Sequence, residues 1–246
     1  MHYPDLGEDE NMTNTYQFAG ICVEVIHIYP YFSVLARDYL YDGEPAFSIV
    51  VTQEDIAQER QKEDSANEAG GYLESLVIYR KLCEKMLERK VLLIHSAAIA
   101  VDGKGYLFTA PSGTGKTTHI KLWKKKFGDG AIIVNGDKPL VSITPDEIRV
   151  WGTPWDGKEH WSTNMSVPVA GICQIGRGVE NTISRVSPTE AVSPLFTQTY
   201  LPNTQEGMQR TMQLLMEVAA RVPFWKLKCN MADEAADVSY AAMKGE

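Results

Sequence analysis

The sequence predicts an α/β fold: a mixed-sheet core preceded by a small β-rich N-terminal region. Three observations carry the prediction. Short, largely apolar segments at Val91–Ala100, Gly105–Thr109 and Ala131–Asn135 have the character of strands buried inside a sheet. Other runs space their apolar residues three and four apart, the period of a helix with one buried face. Finally, the segment Gly105–Thr109 leads through a glycine-containing loop into a helix-like run at Lys116–Lys126.

Taken in order, residues 16–51 read as short strands joined by turns. Phe18–His27 is rich in apolar and β-branched residues, Asp42-Gly43 signals a turn, and Ala46–Thr52 reads as a further strand. Gln53–Asn67 is dominated by charged and amide side chains. It is either an exposed helix or a connection, ended by Gly70-Gly71. From Tyr72 to Arg89, the spacing of Leu73, Leu76, Val77, Cys83, Met86 and Leu87 predicts an amphipathic helix. The expected division is residues 1–71, the small β-rich region with its charged connection, and residues 72–246, the core. Within the core, Asp102-Gly103 is a hairpin turn, and Gly128 and Gly130 follow the end of the Lys116–Lys126 helix. Later strands are expected at Leu140–Ile143, Ile148–Trp151, Val169–Ile175 and Phe224–Cys229, with a helix over Glu206–Arg221.

Composition narrows the function. The chain of 246 residues is 44% hydrophobic and 23% charged, which argues against extensive disorder. With 24 Lys+Arg against 32 Asp+Glu the net charge is -8, so neither nucleic acid nor an anionic membrane is an expected partner. Cys22, Cys83, Cys173 and Cys229 lie far apart, without the spacing of a zinc site or a disulfide framework. The acidic start MHYPDLGEDENM lacks the pattern of a signal peptide, and the apolar run Val91–Val101 is too short to span a bilayer. A cytoplasmic location is the expectation.

The strongest chemical signal is Ala110-Pro111-Ser112-Gly113-Thr114-Gly115-Lys116-Thr117-Thr118. Placed between a strand and a helix, it has the context of a P-loop, or Walker A, motif. Gly113 and Gly115 permit backbone conformations that turn successive N–H groups, from Ser112 through Thr118, onto phosphate oxygens. The helix N-terminus adds partial positive charge. Lys116 is placed to reach β- and γ-phosphates and the Thr117 hydroxyl to ligate Mg²⁺. The first glycine of the pattern is Ala110 here. A nucleotide, ATP with Mg²⁺, is the expected ligand. Asn135-Gly136-Asp137-Lys138-Pro139 follows the next core strand, and Asp137, 21 residues beyond Lys116, is the candidate second metal ligand.

These residues resemble the HPr kinase/phosphoenolpyruvate carboxykinase superfamily, most closely its HPr-kinase-like bacterial members. The resemblance rests on Ile94-His95-Ser96-Ala97-Ala98, Gly105–Phe108, Pro111–Thr118, Asn135–Pro139, Gly152-Thr153-Pro154-Trp155-Asp156-Gly157-Lys158 and Val167-Pro168. It implies an ATP-dependent phosphotransfer fold. His95, 21 residues before Lys116, matches a histidine on the strand before the loop of such kinases. Two departures stand out. Related kinases carry two consecutive acids where this chain has Gly136-Asp137, and a later glutamate has no match at Val150-Trp151-Gly152. Neither the Mn²⁺ ligands nor the oxaloacetate-binding arginines of carboxykinases are matched.

The expected activity is therefore phosphotransfer from ATP to a protein, peptide or small hydroxyl acceptor, with Asp137, His95, Lys116 and Lys158 as candidate catalytic residues. Lys158 reads equally as a phosphate clamp and as a solvated lysine, and Asp156 and Glu159 are lesser candidates for the missing acid. A nucleotide-binding module that governs a partner protein without turnover is the competing class. Trp151, Trp155 and Trp161 read as core first and as a ligand wall second. Lys121, Lys124, Lys125 and Lys126 suit the end of a helix. His119 and His160 receive no role. Related kinases form multimers, so a homo-oligomer is open, as are the acceptor and the role of residues 1–90.

Overall fold

All six residues of strand β5 (Ser96–Val101) are buried, and the layering of the core follows from that. The structure is a computed structural model describing residues 11–62 and 66–245. Ala98 and Ala100 join Leu107, Ile172, Leu215 and Val218 in one cluster, while Ala97, Ile99 and Val101 join Phe108, Ile120 and Trp123 in another. A strand covered on both faces has no reason to alternate polar with apolar residues, which is why Ala97–Val101 reads as a continuous apolar run.

The chain divides into two units, Met1–Lys85 and Met86–Glu246. In the first, β1 (Met12–Phe18) pairs antiparallel with β2 (Ile21–His27), which pairs parallel with β3 (Phe47–Val50). Residues 30–35, expected among strands, form the short helix α1 (Pro30–Leu35) with proline at its start. The charged stretch after β3 is the helix α2 (Gln53–Arg60), held by a capping box between Thr52 and Asp55. Helix α3 (Gly70–Leu87) begins at the two glycines expected to precede it. They serve close approach: a Cβ on Gly70 would lie 3.0 Å from the Tyr29 ring, and one on Gly71 2.7 Å from Tyr31 Cβ.

The second unit is a mixed sheet with the order β4-β8-β9-β10-β6-β5-β7, β12 pairing with β10 and β11 with β12. Its strands are β4 (Val91–Leu93), β5, β6 (Lys104–Thr109), β7 (Ala131–Asn135), β8 (Leu140–Ile143), β9 (Ile148–Trp151), β10 (Ser166–Arg177), β11 (Thr182–Val186) and β12 (Phe224–Cys229). β6, β10 and β12 are parallel neighbours. Helices α5 (Pro188–Thr197) and α6 (Gln205–Arg221) contribute to the cluster on one face of β5. Helices α4 (Lys116–Phe127) and α7 (Glu234–Met243) contribute to the cluster on the other. None of the described helices is long and apolar enough to cross a membrane.

Trp123 of α4 is fully buried, with the rings of Tyr106, Phe108, Tyr240 and Phe127 at centroid distances of 5.0, 5.1, 5.5 and 5.6 Å. Its indole N–H donates to Ser239 Oγ at 2.9 Å and to His119 Nε2 at 3.2 Å, tying α4 to α7. Burial pushes His119 down to about 4. Its folded pKa then lies below its unfolded value near 6.5, so the unfolded chain takes the proton first. The stability this lends is complete at neutral pH and is lost as pH falls from about 6.5 to 4, on the order of 3 kcal/mol. Urea unfolding at pH 7 and pH 4.5 checks this: His119→Gln should shrink the difference between the two, and an unchanged difference contradicts the assignment.

Candidate functional site

The loop between β6 and α4 takes its shape from two glycines. Gly113 has φ 74° and Gly115 φ 126°, conformations that strain any residue with a Cβ. Thr114 N donates to Pro111 O at 3.2 Å, and α4 begins at Lys116. Ala110, where the motif carries glycine, needs no positive φ and buries its methyl in the core. Ser112 and Gly113 are exposed; Thr114, Gly115, Thr117 and Thr118 are half-buried. Lys116 is buried, and its Nζ donates to Ala110 O at 2.9 Å. Burial lowers its pKa and Lys138 adds to that, while the Asp137 carboxylate opposes them.

Facing Lys116 is a second cluster, brought there by a break between β4 and β5. At the break His95 N donates to Gln198 O at 2.7 Å and Ser96 N to Asp137 O at 3.0 Å. Thr109 Oγ1, at the end of β6, donates to His95 O at 3.1 Å. His95 is therefore not a residue within a strand. The break turns its ring toward Asp137, with Nε2 2.9 Å from Oδ1, while Lys138 Nζ donates to Oδ2 at 2.6 Å. Burial alone would raise the Asp137 carboxyl, but the bond from His95, then the charge and bond of Lys138, hold it far below the usual carboxylate range.

The turn that carries Asp137 is built by Asn135, which is fully buried. Its Oδ1 accepts from Asp137 N at 2.8 Å and Lys138 N at 2.6 Å, and its Nδ2 donates to Thr153 O at 3.0 Å. Thr153 Oγ1 donates to Lys138 O at 2.8 Å, closing the loop. Asn135 and Thr153 were not expected as functional residues. The available signal was the Asn-Gly-Asp turn itself, since asparagine binds backbone N–H groups two and three residues on.

Segment 152–161 folds over this turn. Gly157, at φ 82°, comes so close that a Cβ on it would lie 3.1 Å from Asp137 Cβ. Gly136 N donates to Trp161 O at 2.8 Å. Position 136 leaves little room for a side chain: a Cβ there would meet Asp156 O at 2.8 Å. Asp156 accepts from Ser162 Oγ at 3.0 Å, lies 3.4 Å from His160 Nδ1, and is pushed up by burial. Lys158 and Glu159 are exposed on the same segment.

Of the three tryptophans only Trp155 is buried. Trp151 donates to Ser142 Oγ at 2.8 Å, and the Trp161 ring has Lys121 Nζ 5.1 Å from its centroid. Lys124 donates to Gly128 O and Ala131 O at 2.8 Å each, and Lys125 and Lys126 pair with Asp233 and Asp237. Arg177, also unanticipated, donates from Nη2 to Gly113 O at 2.8 Å and ties the glycine loop to the end of β10. No local pattern announces that contact, since the partners are 64 residues apart.

Together these residues define a mixed α/β domain with an open glycine loop, a buried lysine at a helix start and a carboxylate held between histidine and lysine. The chain belongs to the ScmC family, described as SynChlorMet cassette protein ScmC, whose model matches residues 73–236. Among solved structures, the Hpr(Ser) kinase/phosphatase from Coxiella burnetii is similar with a TM-score of 0.35 and 10% sequence identity, over 62% of this chain and 93% of that one. No curated protein matches the chain.

Proposed function

We propose that the chain binds ATP with Mg²⁺ and transfers the terminal phosphoryl group to a protein, peptide or small hydroxyl acceptor. The observation that carries this reading is a conjunction. A loop with two positive-φ glycines opens onto a helix N-terminus at Lys116, within electrostatic reach of the Asp137–His95–Lys138 cluster. Backbone N–H groups and a helix start suit phosphate oxygens, and Lys116 would exchange the Ala110 carbonyl for them.

Among the described residues no three His, Cys, Asp or Glu side chains are grouped to hold a metal ion. That suits Mg²⁺, which takes one or two protein oxygens and fills its octahedron with phosphate and water. Thr117 and Asp137 are oxygen donors of that kind. The ion would neutralise charge on the β- and γ-phosphates. Asp137, held far below the usual carboxylate range with both oxygens engaged, suits a ligand and makes a poor proton acceptor. Asp156, raised by burial, is the acid of this segment better matched to accepting the acceptor's proton.

The weak basicity of Asp137 also favours a second reading, a nucleotide-binding module without turnover that regulates a partner. Calorimetric titration of ATP with and without Mg²⁺, on the wild type and Asp137→Asn, followed by ADP release, tests both. Metal-dependent binding weakened at least about tenfold in the variant, with ADP release, is expected for the transferase. Binding without ADP release selects the module. No ATP binding overturns both readings.

A further inference from the structure

At the end of the sheet away from the glycine loop lies a cavity of about 580 Å³ that none of the chemistry above uses. β6, β10 and β12 run parallel, and their starts wall it: Lys104, then Pro168–Ala170, then Pro223 with Trp225. The glycine loop leaves the other end of β6, whose six residues put roughly 16 Å of strand between the two. The volume falls within the range of small-molecule sites, about 300–1,000 Å³.

Its shape follows from local departures in the strands. The pairing of β10 with β6 slips between Val169 and Gly171, which leaves Ala170 outside the ladder. Gly171 makes room for an aromatic ring, since a Cβ there would lie 2.5 Å from Trp225 Cζ3. Trp225 and Met243, both buried, are the large apolar side chains of the lining.

Its charge is the second observation. Three exposed cations meet on the cavity from distant parts of the chain: Lys104 at the start of β6, Arg185 on β11 and Lys244 after α7. Arg185 is the register partner of Trp225 across β11 and β12, and its guanidinium carbon lies 5.9 Å from the Trp225 ring centroid. Among the described residues no acid lines the cavity, and none pairs with these three cations. Asp102, close by in sequence, accepts instead from the Tyr240 hydroxyl at 3.4 Å. In a chain of 32 acidic and 24 basic residues, this is a local reversal of charge.

We propose that this cavity binds a small organic acid, a carboxylate on an apolar body, as a ligand separate from any nucleotide. The planar fork of Arg185 matches a carboxylate, and Lys104 and Lys244 add point charges. The apolar body lies against Trp225 and Met243. A phosphate is the poorer occupant. Phosphate cradles use backbone N–H groups and helix starts, whereas this wall holds two prolines and the last residues of α7. At that distance from the loop the acid is not the phosphoryl acceptor, and its binding stands or falls independently of ATP binding.

Calorimetry on the full chain tests this, with 1-naphthaleneacetate, its neutral amide 1-naphthaleneacetamide, and acetate as probes. The naphthyl acid should bind with a Kd at or below about 1 mM, and the amide and acetate at least about tenfold more weakly. Arg185→Ala and Lys104→Ala, at exposed positions, should each weaken the acid about threefold or more. Lys226→Ala, which removes an exposed lysine of β12 outside the cavity, should leave it unchanged. Saturating magnesium triphosphate should not compete. Equal affinity for acid and amide, no binding of the acid below about 10 mM, or undiminished affinity in both cavity variants would overturn the site. Competition by triphosphate would overturn it too, by placing the acid at the glycine loop.

Discussion

Lys116→Ala should lower ATP affinity by about two orders of magnitude while changing the stability of the fold little. The size follows from what the ammonium does on binding. Truncating one partner of a buried, hydrogen-bonded charge pair costs about 2–5 kcal/mol, or roughly 30- to several thousand-fold. The lower half of that range applies, because Lys116 already donates to Ala110 O and must give up that bond to meet a phosphate. Stability responds differently. Burial disfavours the ammonium, as its lowered pKa records, so removing it relieves a desolvation cost while losing one hydrogen bond. These oppose each other, and a net change within about 1 kcal/mol is expected. Lys116→Met, which keeps most of the aliphatic stem, should match the wild type in thermal melts and still lose ATP. Retained affinity in both variants would remove Lys116 from the site. Loss of affinity together with a collapsed melt in both would show a structural role instead.

What the sequence disclosed about this region was what short-range chemistry dictates. A strand, two glycines, a lysine and a helix lie within Gly105–Phe127, and the hydrogen bonds from Thr114 N to Pro111 O and from Lys116 Nζ to Ala110 O are made within that stretch, whereas that of Arg177 is not. β7, β8, β9 and β12 were equally legible, because each is a short segment of apolar and β-branched residues; β9 alternates buried Ile148 and Val150 with half-buried Arg149 and Trp151. The elements that escaped have weaker or longer-range causes. α5 carries Pro194 in its interior, which argues against a helix, yet Ser187 and Glu190 form a capping box with Pro188 at the start. That S-x-x-E pattern was the usable signal. α7 is short and rich in alanine, and owes its position to Ser239 packed beneath Trp123, 116 residues away. The break at His95 is held by Gln198 and Asp137, which no window around His95 contains.

The same lesson applies to position 136. Read along the chain, Gly136 is an acid gone missing, and Gly136→Asp is the natural attempt to restore a base. In three dimensions the glycine admits the Asp156 carbonyl, so any side chain there pushes against the backbone that covers Asp137. Lost activity in Gly136→Asp would report displaced backbone as much as altered chemistry. Asp156→Asn is the cleaner probe of whether an acid here would take the proton in the proposed transfer, since the amide keeps an acceptor for Ser162 Oγ at 3.0 Å.

Gly152→Ala should destabilise the second unit more than any other single methyl added to this region. A Cβ at position 152 would lie 2.0 Å from Thr163 O and 2.8 Å from Val134 O, and both neighbours are backbone atoms. Neither can yield by a rotamer change. Gly152 N donates to Met165 O at 3.0 Å and Thr163 N to Val134 O at 3.2 Å, so three backbone segments are joined at that point. Overpacking against movable side chains typically costs about 1–3 kcal/mol, and a backbone clash belongs at or beyond the upper end. In a protein of this size each kcal/mol shifts Tm by about 2–4 °C, so a fall of roughly 10 °C is expected. The damage should also reach the site. Thr153 follows directly and holds Asn135, whose amide oxygen sets the backbone of Asp137 and Lys138. Metal-dependent ATP binding should therefore weaken even below the melting transition. Gly130→Ala is the control, with open space around its Cβ and no positive φ, and should stay within about 1 kcal/mol of the wild type. Equal melts for the two variants would mean that the strand-to-loop crossing at Gly152 is looser than its contacts require, and that Asp137 is held by Asn135 without it.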